Sequence, residues 1–577
     1  MLRLPSLATI VASLLLFQAQ PIHSLGDNAA SSSEPIPPSV KVARSRAPQI
    51  FNAVHSSMRQ WGSSLQHNGM SFFLATVPEG VLLHHGNSNR SSPTGPEWLA
   101  FEIEHAENFA RGWMGGPPRR GGGGAPGGGP GDGNGPPPFR KRDEEQEVLA
   151  EWQDHSEEED QHGWLHVYRT TRDLQFLYVD GMGAGKTSMG TLDSQDYVLR
   201  GLNGSEIRRA NAKDEGDDEK KPPNGGPARG GPARGGPMDE RARAMELCEL
   251  CDEWGLQGVI RMEAGFEIIK CDFSDGMEEV QVLQRRDPSD GEGRGRPPGS
   301  QSLRHLEYIR GLAERYDGIG SSRAKVDYSS MVSAFFFDVN LTNPDAKRQD
   351  LPRLVSATEE GLEGIRSYLE RVVEGRRNDP ARTIDWQDVT DIVVARYSER
   401  IEFMAEVVES VHILEQEIDF LLDVFVDYSD KEPDLAGARE RCTDFYLGAI
   451  TPVTKSDWLV YAAIRSVTGR LCRDLFEVRS VIASRKKSSD SAVLFQSKEI
   501  LTEVMNFLSW TRFKRCPSCG VDEVCLVPMW PFGTVEDYQR PGCSNGSQAE
   551  GSESYWGGFR GGPPGNGKED PRPPRRV

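Results

Sequence analysis

Residues 174–190 read LQFLYVDGMGAGKTSMG, an apolar run followed by a glycine-rich turn. A run of Leu, Phe, Tyr and Val bounded by glycines is typical of a buried strand that ends in a tight turn. Similar short runs recur on both sides of it: SFFLATV, GVLLHHG, WLAFEI, LHVYRTT, LQGVIRMEAG and FEIIKCDF. One helical pattern, EIEHAENFARGW, overlaps the end of WLAFEI. We therefore predict an α+β domain over residues 46–288.

The glycine-rich turn resembles a nucleotide-binding P-loop, because Gly185, Lys186 and Thr187 reproduce the Gly-Lys-Thr end of that motif. The first glycine of the motif GxxxxGK falls on Asp180 here. A carboxylate at this position would repel the phosphates that the backbone N–H groups of a P-loop bind. No amphipathic helix follows the turn. We therefore predict a structural turn, with nucleoside triphosphate binding through Lys186 and Thr187 as the less favoured alternative.

The second half of the chain changes to helical periodicity. Between Asp385 and Tyr428, apolar residues recur every three or four positions, as they do on the buried face of an amphipathic helix. Asp385 is a candidate N-cap, and Asp388 adds favourable charge to the first turn. Further helical patterns lie on both sides of this one. We predict a helical bundle over 301–515, followed by a cysteine-rich module at 516–544.

The chain of 577 residues contains 61 Gly and 38 Pro, many of them in segments that cannot bury enough apolar area to fold. We predict that these segments are disordered: a linker at 25–45, inserts at 114–142 and 212–240, a linker at 289–300 and a tail at 545–577. The first insert ends in Arg-Lys-Arg at 140–142, a candidate site of dibasic processing.

The N-terminus predicts secretion. Residues 1–24 have the layout of a secretory signal peptide, with an early positive charge at Arg3 and an apolar stretch too short to span a bilayer. No later segment of the sequence is apolar enough to insert stably into a membrane. Four Asn-x-Ser/Thr sequons are candidate glycosylation sites: Asn89, Asn203, Asn340 and Asn545. These features predict a secreted protein of the extracellular space or the cell wall.

Nine cysteines occur in uneven clusters: Cys248, Cys251, Cys271, Cys442, Cys472, Cys516, Cys519, Cys525 and Cys543. In an oxidising compartment they predict disulfide bonds with one cysteine left over, and their spacing does not fix the connectivity. The last four resemble a four-thiolate zinc site. The secretory context and the lack of a nearby histidine disfavour that alternative, so we predict no metal site.

The formal net charge of −20 disfavours a nucleic-acid-binding protein, because such a protein binds phosphates through lysine and arginine. The sequence also lacks the hydrolase motif GxSxG and the zinc-protease motif HExxH. HAENF at 105–109 carries the first histidine of the latter motif but not the second, and it predicts an ordinary helix. Composition and motifs therefore favour a protein without catalytic activity.

Short pieces of the strand-rich part resemble the ADP-ribosyltransferases of the poly(ADP-ribose) polymerase type. GVLLHHGNS, WLAFEIEHAENFARG, AGKTSMGTLD and GFEIIKCDF are similar, in this order, to that family's histidine strand, aromatic strand-to-helix element, Lys-x-Ser turn and glutamate strand. The resemblance implies an NAD cofactor, with His85 and Glu267 as catalytic residues. The further cofactor contacts that it implies are Gly86, Phe101, Lys186 and Thr187.

Four longer blocks resemble a group of uncharacterised secreted or cell-surface proteins of filamentous fungi: PEWLAFEIEHAENFARG, FLYVDGMGAGKTSMGTLDSQDYVL, IDWQDVTDIVVARYSERIEFM and DEVCLVPMWPFGTVEDY. This resemblance spans both halves of the chain and implies compartment and architecture rather than an activity. Two hypotheses follow. One is a non-enzymatic extracellular or cell-wall-associated protein without a cofactor, and the other is an NAD-binding, ADP-ribosyltransferase-like domain, either active or degenerate. They differ in whether the side chains of His85 and Glu267 converge in one cleft.

Overall fold

The structure is a computed structural model that describes residues 35–110, 162–202, 239–285, 300–320, 322–378, 382–429, 431–487, 489–545 and 555–556. The chain divides into two compact units, residues 1–34 and 35–577, of which only the second contains described residues. The predictions outside the described residues concern the signal peptide 1–24, the insert 114–142 with its Arg-Lys-Arg site, Asn203, and most of the segments 212–240 and 289–300.

The second unit begins with three short helices, α1 (Val40–Ser45), α2 (Ala47–Ser56) and α3 (Gln60–Leu65). The predicted linker at 25–45 is therefore wrong at its C-terminal end. Ala43 on α1 is fully buried, and Ile36 packs against the main core. These apolar contacts order a segment whose composition alone predicts a disordered linker.

Nine strands of the described residues form one mixed sheet. In chain order, the elements of this part are β1 (Ser71–Val77), β2 (Leu82–Asn87), β3 (Glu97–Ala100), α4 (Ile103–Glu107), β4 (Trp164–Thr170), β5 (Leu174–Val179), α5 (Glu240–Trp254), β6 (Gly258–Met262), β7 (Phe266–Lys270), β8 (Met277–Gln284), α6 (Ser300–Ala313) and β9 (Lys325–Ser333). The strand order across the sheet is β8-β4-β2-β3-β7-β6-β5-β1-β9. Neighbouring strands are antiparallel, except that β5 and β6 are parallel. The predicted mixed α and β class is confirmed.

The apolar run of residues 174–190 forms β5, which lies between β6 and β1. Its last four side chains, from Phe176 to Val179, are all buried, so both faces of the strand are covered. The turn that follows requires glycine at Gly181, where φ is +68° and a Cβ would lie 2.4 Å from the Gly69 nitrogen. The prediction of a core strand followed by a structural turn is confirmed.

The C-terminal half supplies the helices α7 (Glu359–Asn378), α8 (Trp386–Glu402), α9 (Val411–Leu422), α10 (Leu435–Asp444), α11 (Lys455–Ala483) and α12 (Asp490–Leu508). Asp385 caps α8 as predicted, because its side chain accepts a hydrogen bond from the Asp388 N–H at 3.0 Å. The helical pattern predicted between Asp385 and Tyr428 does not form one continuous helix. A π-helical segment at Phe403–Val407 follows α8, and the backbone is extended at Val408. The wider turn shifts the apolar face and leaves Val407 61% exposed.

The strand-rich and helix-rich parts share one continuous hydrophobic core. Phe176 and Val332 from the sheet belong to the same cluster of buried residues as Trp386 and Leu471 from the helices. β9 lies within the range predicted as a helical bundle, 301–515, yet it pairs with β1 at the edge of the sheet. Helices α7 and α11 pack against this strand, and α11 also packs against α2. The predicted helical C-terminal region is confirmed, and its helices share their core with the sheet.

Eight of the nine cysteines form disulfide bonds: Cys248–Cys271, Cys442–Cys472, Cys516–Cys525 and Cys519–Cys543. Cys251 remains a free, buried thiol, and burial raises its pKa to about 12. The prediction of disulfide bonds with one cysteine left over is confirmed. The last four cysteines bond to one another, which leaves no thiolate in this module for the zinc alternative.

The cysteine-rich module consists of β10 (Val524–Leu526), α13 (Val535–Gln539) and β11 (Gly542–Ser544). It packs against α3 and α6 through a second, smaller hydrophobic cluster. The predicted disordered tail at 545–577 is wrong for Tyr555 and Trp556, which are buried. Trp556 Nε1 donates to the Phe532 carbonyl at 2.8 Å, which ties this pair to the module. Among the described residues, no helix combines the length and apolarity needed to cross a membrane.

Candidate functional site

The two residues expected to form a catalytic pair lie on opposite faces of the sheet. His84 is directly opposite Ala100 on the neighbouring strand β3, and Ala100 is directly opposite Glu267 on β7. Residues opposite each other on antiparallel strands share a face, whereas successive residues alternate. Glu267 therefore shares its face with His84, and His85 points to the other face. Groups that act on one substrate have to converge, so His85 and Glu267 do not form the pair that the resemblance implies.

His85 is part of the packed layer on its own face. Its ring centre lies 5.6 Å from that of Phe273 and 5.8 Å from that of His166. Its Nδ1 lies 2.7 Å from the backbone oxygen of Trp98, so Nδ1 carries a proton and donates to that oxygen. Burial lowers the pKa of His85 to about 4. The ring is therefore a neutral core side chain at neutral pH.

The two residues expected to contact a nicotinamide, Gly86 and Phe101, lie in closely packed parts of the protein. Phe101 is buried in the main core. A Cβ on Gly86 would lie 2.0 Å from the Ala106 carbonyl oxygen and 2.7 Å from the Ala110 nitrogen. Gly86 therefore allows the chain around α4 to pack directly on β2.

We expect Gly86→Ala to lower the free energy of unfolding by about 2 kcal/mol. The added methyl group would overlap the Ala106 carbonyl and push α4 away from the sheet. Gly95→Ala is the matched control, because a Cβ at Gly95 would meet nothing within 4 Å. Urea unfolding followed by tryptophan fluorescence measures both variants. Equal stability of the two would contradict the close packing of α4 on β2.

Buried charged side chains gather on the face of the sheet that carries Glu267. Arg261 on β6 is fully buried and donates from Nε to Glu267 at 2.7 Å. Its terminal nitrogens donate to Gln195 at 3.0 Å and to Glu240. We call the following residues the polar cluster: His105, Lys186, Gln195, Glu240, Arg261, Glu263 and Glu267. None of them is more than 7% exposed.

The lysine of the glycine-rich turn belongs to the polar cluster. Lys186 Nζ donates to Glu263 Oε2 at 2.6 Å and lies 4.8 Å from the centre of the Trp530 ring. Thr187 Oγ1 lies 3.5 Å from the Trp556 backbone oxygen. Because the lysine is paired with a carboxylate and tryptophans cover the turn, these residues do not present a phosphate-binding cradle.

The tight turn between β6 and β7 brings a histidine and two carboxylates together. The Glu263 N–H donates to the Gly265 carbonyl at 3.0 Å and closes the turn. A Cβ on Gly265 would lie 2.9 Å from the His105 ring, so glycine is needed for α4 to place that ring over the turn. One ligand-type atom from each of His105, Glu263 and Glu267 lies within 4.8 Å of the others. The sequence predicted Glu267 as a site residue, but it did not predict His105 or Glu263.

Further buried ion pairs continue from the polar cluster to α5. Arg243 donates to Glu240 at 2.7 Å and to Asp196 at 3.0 Å. Arg200 donates to Asp196 and to Asp239, each at 2.7 Å. Removing so many charges from water is costly, and each partner offsets the desolvation of the other. The network therefore favours a single position of α5 against the sheet.

Asp180 stands where a P-loop has its first glycine, and its side chain fixes the start of β1. Its Oδ1 accepts a hydrogen bond from the Ser71 N–H at 2.8 Å. The carboxyl group is buried, and burial raises its pKa from 3.8 to about 7. Between these two pH values the folded protein therefore holds a proton that the unfolded chain has released.

We expect the contribution of Asp180 to the stability of the protein to fall as pH rises from about 4 to about 7. The stabilising contribution is complete below the unfolded pKa and is lost as pH passes the folded pKa. Asp180→Asn should remove this part of the pH dependence, so that the variant gains at least about 1 kcal/mol on the wild type across this interval. Thermal and urea unfolding of both proteins at pH 4 and pH 8 measure the difference. Parallel pH profiles would contradict a protonated Asp180.

Three of the four sequons lie in the described residues. Asn340 and Asn545 are exposed, whereas Asn89 is half-buried. The Asn89 backbone oxygen accepts a hydrogen bond from His166 Nε2 at 2.9 Å. Asn340 and Asn545 are therefore the more accessible candidates for a glycan.

Comparisons with known proteins show that the chain is similar to proteins of yeast. The family described as the YPL277C N-terminal domain matches residues 40–291, which include every residue of the polar cluster. The chain is 26% identical over 562 residues to the uncharacterized protein YOR389W of Saccharomyces cerevisiae. That match covers 86% of this chain and 83% of the relative. The chain is similar to it in both halves.

A second relative, the uncharacterized protein YPL277C of the same yeast, is 28% identical over 242 residues. That match covers 42% of this chain and 43% of the relative. No solved structure matches the chain. These findings agree with the expected likeness to an uncharacterised group of proteins, and they give no support to a resemblance to ADP-ribosyltransferases.

Proposed function

We propose that this chain is a secreted fungal protein of the extracellular space or the cell wall, without catalytic activity of its own. The observation that carries the proposal is the pairing of eight cysteines in disulfide bonds. Such bonds form and persist in oxidising compartments and are rare in the cytosol. The signal-peptide-like layout of residues 1–24 and the exposed sequons at Asn340 and Asn545 support the same compartment.

The lack of catalytic activity is supported by the position of the candidate residues. His85 and Glu267 lie on opposite faces of the sheet. Lys186 and Glu267 both belong to the polar cluster, but each is paired with an oppositely charged side chain and is almost fully buried. A substrate could reach neither without displacing core residues. The polar cluster therefore serves the fold.

The compartment is tested by expressing the full chain in a secreting fungal host and comparing medium, cell-wall extract and cytosol. We expect the protein in the medium or the wall, with a mass that falls after endoglycosidase treatment. Asn340→Gln should reduce that fall, whereas Thr342→Ser keeps the sequon and should leave it unchanged. A protein retained in the cytosol without glycans would overturn the proposal.

The transferase-like alternative has its own test, a calorimetric titration of the wild type and of Glu267→Gln with NAD. We expect no binding by either protein. Binding to the wild type that is weakened in Glu267→Gln would favour the transferase-like alternative instead.

A further inference from the structure

One ring nitrogen of His105 has no hydrogen-bond partner among the described residues. Nδ1 lies 2.9 Å from the Tyr308 hydroxyl, within hydrogen-bond distance. Nε2 is buried and unpartnered, and Glu263 Oε1 lies 3.8 Å from it. That separation is too long for a hydrogen bond in either tautomer of the ring. A buried polar nitrogen without a partner is unusual in a folded protein, because its lost hydration is not replaced.

Two carboxylates border this nitrogen, and a cation holds each of them. Lys186 binds Glu263 through Oε2, and Arg261 binds Glu267 through Oε1. Each carboxylate therefore keeps a second oxygen for another partner. Neighbouring groups hold the ligands of metal sites in this way, and the hydrogen bond between Tyr308 and His105 Nδ1 is of the same kind.

We propose that His105, Glu263 and Glu267 bind one divalent transition-metal ion, with Zn²⁺ as the best fit. Two ligands that are each about 2.1 Å from one ion stand roughly 3 to 4 Å apart. The 3.8 Å between His105 Nε2 and Glu263 Oε1 is such a separation. An imidazole nitrogen with two carboxylates suits zinc, whereas magnesium and calcium prefer oxygen ligands alone.

The ion would have a structural role because the site is enclosed. The three ligands come from α4, from the turn after β6 and from β7, and Lys186 adds the glycine-rich turn. All four residues are almost fully buried. Lys186 is also the cation that competes with the ion for Glu263. Binding should therefore be moderate and should raise the unfolding temperature of the protein.

The test uses the full chain without a histidine tag, stripped of metals with a chelator. Zn²⁺ is titrated by calorimetry, and Co²⁺ is followed by its visible absorption bands. We expect one ion per chain and a higher unfolding temperature with Zn²⁺. His105→Gln should weaken Zn²⁺ binding at least about tenfold. His166→Gln is the matched control, because this buried histidine pairs with Glu279 on the other face and should not affect binding.

A wild type that binds neither ion would overturn the proposal, and so would a folded His105→Gln variant with unchanged affinity. If His105→Gln does not fold, Tyr308→Phe gives the readout, because it removes only the hydroxyl that holds the His105 ring. We expect about tenfold weaker Zn²⁺ binding in that variant. An affinity equal to that of the wild type would then overturn the proposal. Neither result depends on where the protein is located in the cell.

Discussion

Replacing Arg261 by methionine should lower the free energy of unfolding by about 3 to 5 kcal/mol. Arg261 is fully buried and hydrogen-bonds to Glu240, Glu267 and Gln195. Methionine keeps much of the aliphatic length of the arginine side chain. It leaves the buried carboxylate of Glu267 without its cation and without access to water. The cost of that unpaired charge exceeds the cost of the lost contact itself. Thermal and urea unfolding, followed by circular dichroism, measure the effect.

Arg169→Met is the matched control for this variant. Arg169 lies on β4, is about half exposed and pairs with the exposed Glu278, so its loss should change stability by less than about 1 kcal/mol. Arg261→Met combined with Glu267→Leu should recover part of the lost stability, because neither buried charge is then left alone. A cost of less than about 1 kcal/mol for Arg261→Met would contradict the buried network.

Removing the Cys442–Cys472 disulfide by serine substitution at both positions should cost about 3 to 4 kcal/mol. The bond joins α10 to α11 across a separation of 30 residues, and both cysteines are buried. Without it, the unfolded chain gains conformational freedom, and two hydroxyl groups enter an apolar site. Urea unfolding without reductant compares this variant with the wild type.

Cys251→Ala is the control for the disulfide variant, because it removes a buried thiol without breaking a bond. We expect a cost of about 1 kcal/mol from the small cavity. Adding a reductant should destabilise the wild type more than the variant that already lacks the Cys442–Cys472 bond. A disulfide variant as stable as Cys251→Ala would show that the bond is not formed.

The elements that could be predicted from the sequence are those whose pattern is local. β5 was predictable because burial on both faces leaves an uninterrupted apolar run. The start of α8 was predictable because Asp385 is a capping residue directly before a periodic stretch. The break after Val407 was not, because apolar residues keep recurring through the π-helical segment. The disulfide partners could not be predicted either, since the spacing of the cysteines alone does not say which elements lie next to each other.

The candidate site depended on strand pairing, which is not local. Whether His85 shares a face with Glu267 depends on strand pairing, and it requires knowing that β3 lies between β2 and β7. His105 belongs to a five-residue helix that reads as ordinary, and it meets Glu263 only because Gly265 has no side chain. The available signal was the pair of glutamates, Glu263 and Glu267, on either side of that glycine.

The most direct test of the proposed compartment and fold is the disulfide map of the full chain isolated from its natural location. Free thiols are alkylated in denaturant, which exposes the buried Cys251, and peptides are then mapped without reduction by mass spectrometry. We predict alkylation at Cys251 alone and the four bonds Cys248–Cys271, Cys442–Cys472, Cys516–Cys525 and Cys519–Cys543. Alkylation of the other eight cysteines would contradict an oxidised, secreted protein, and different pairings would contradict the fold.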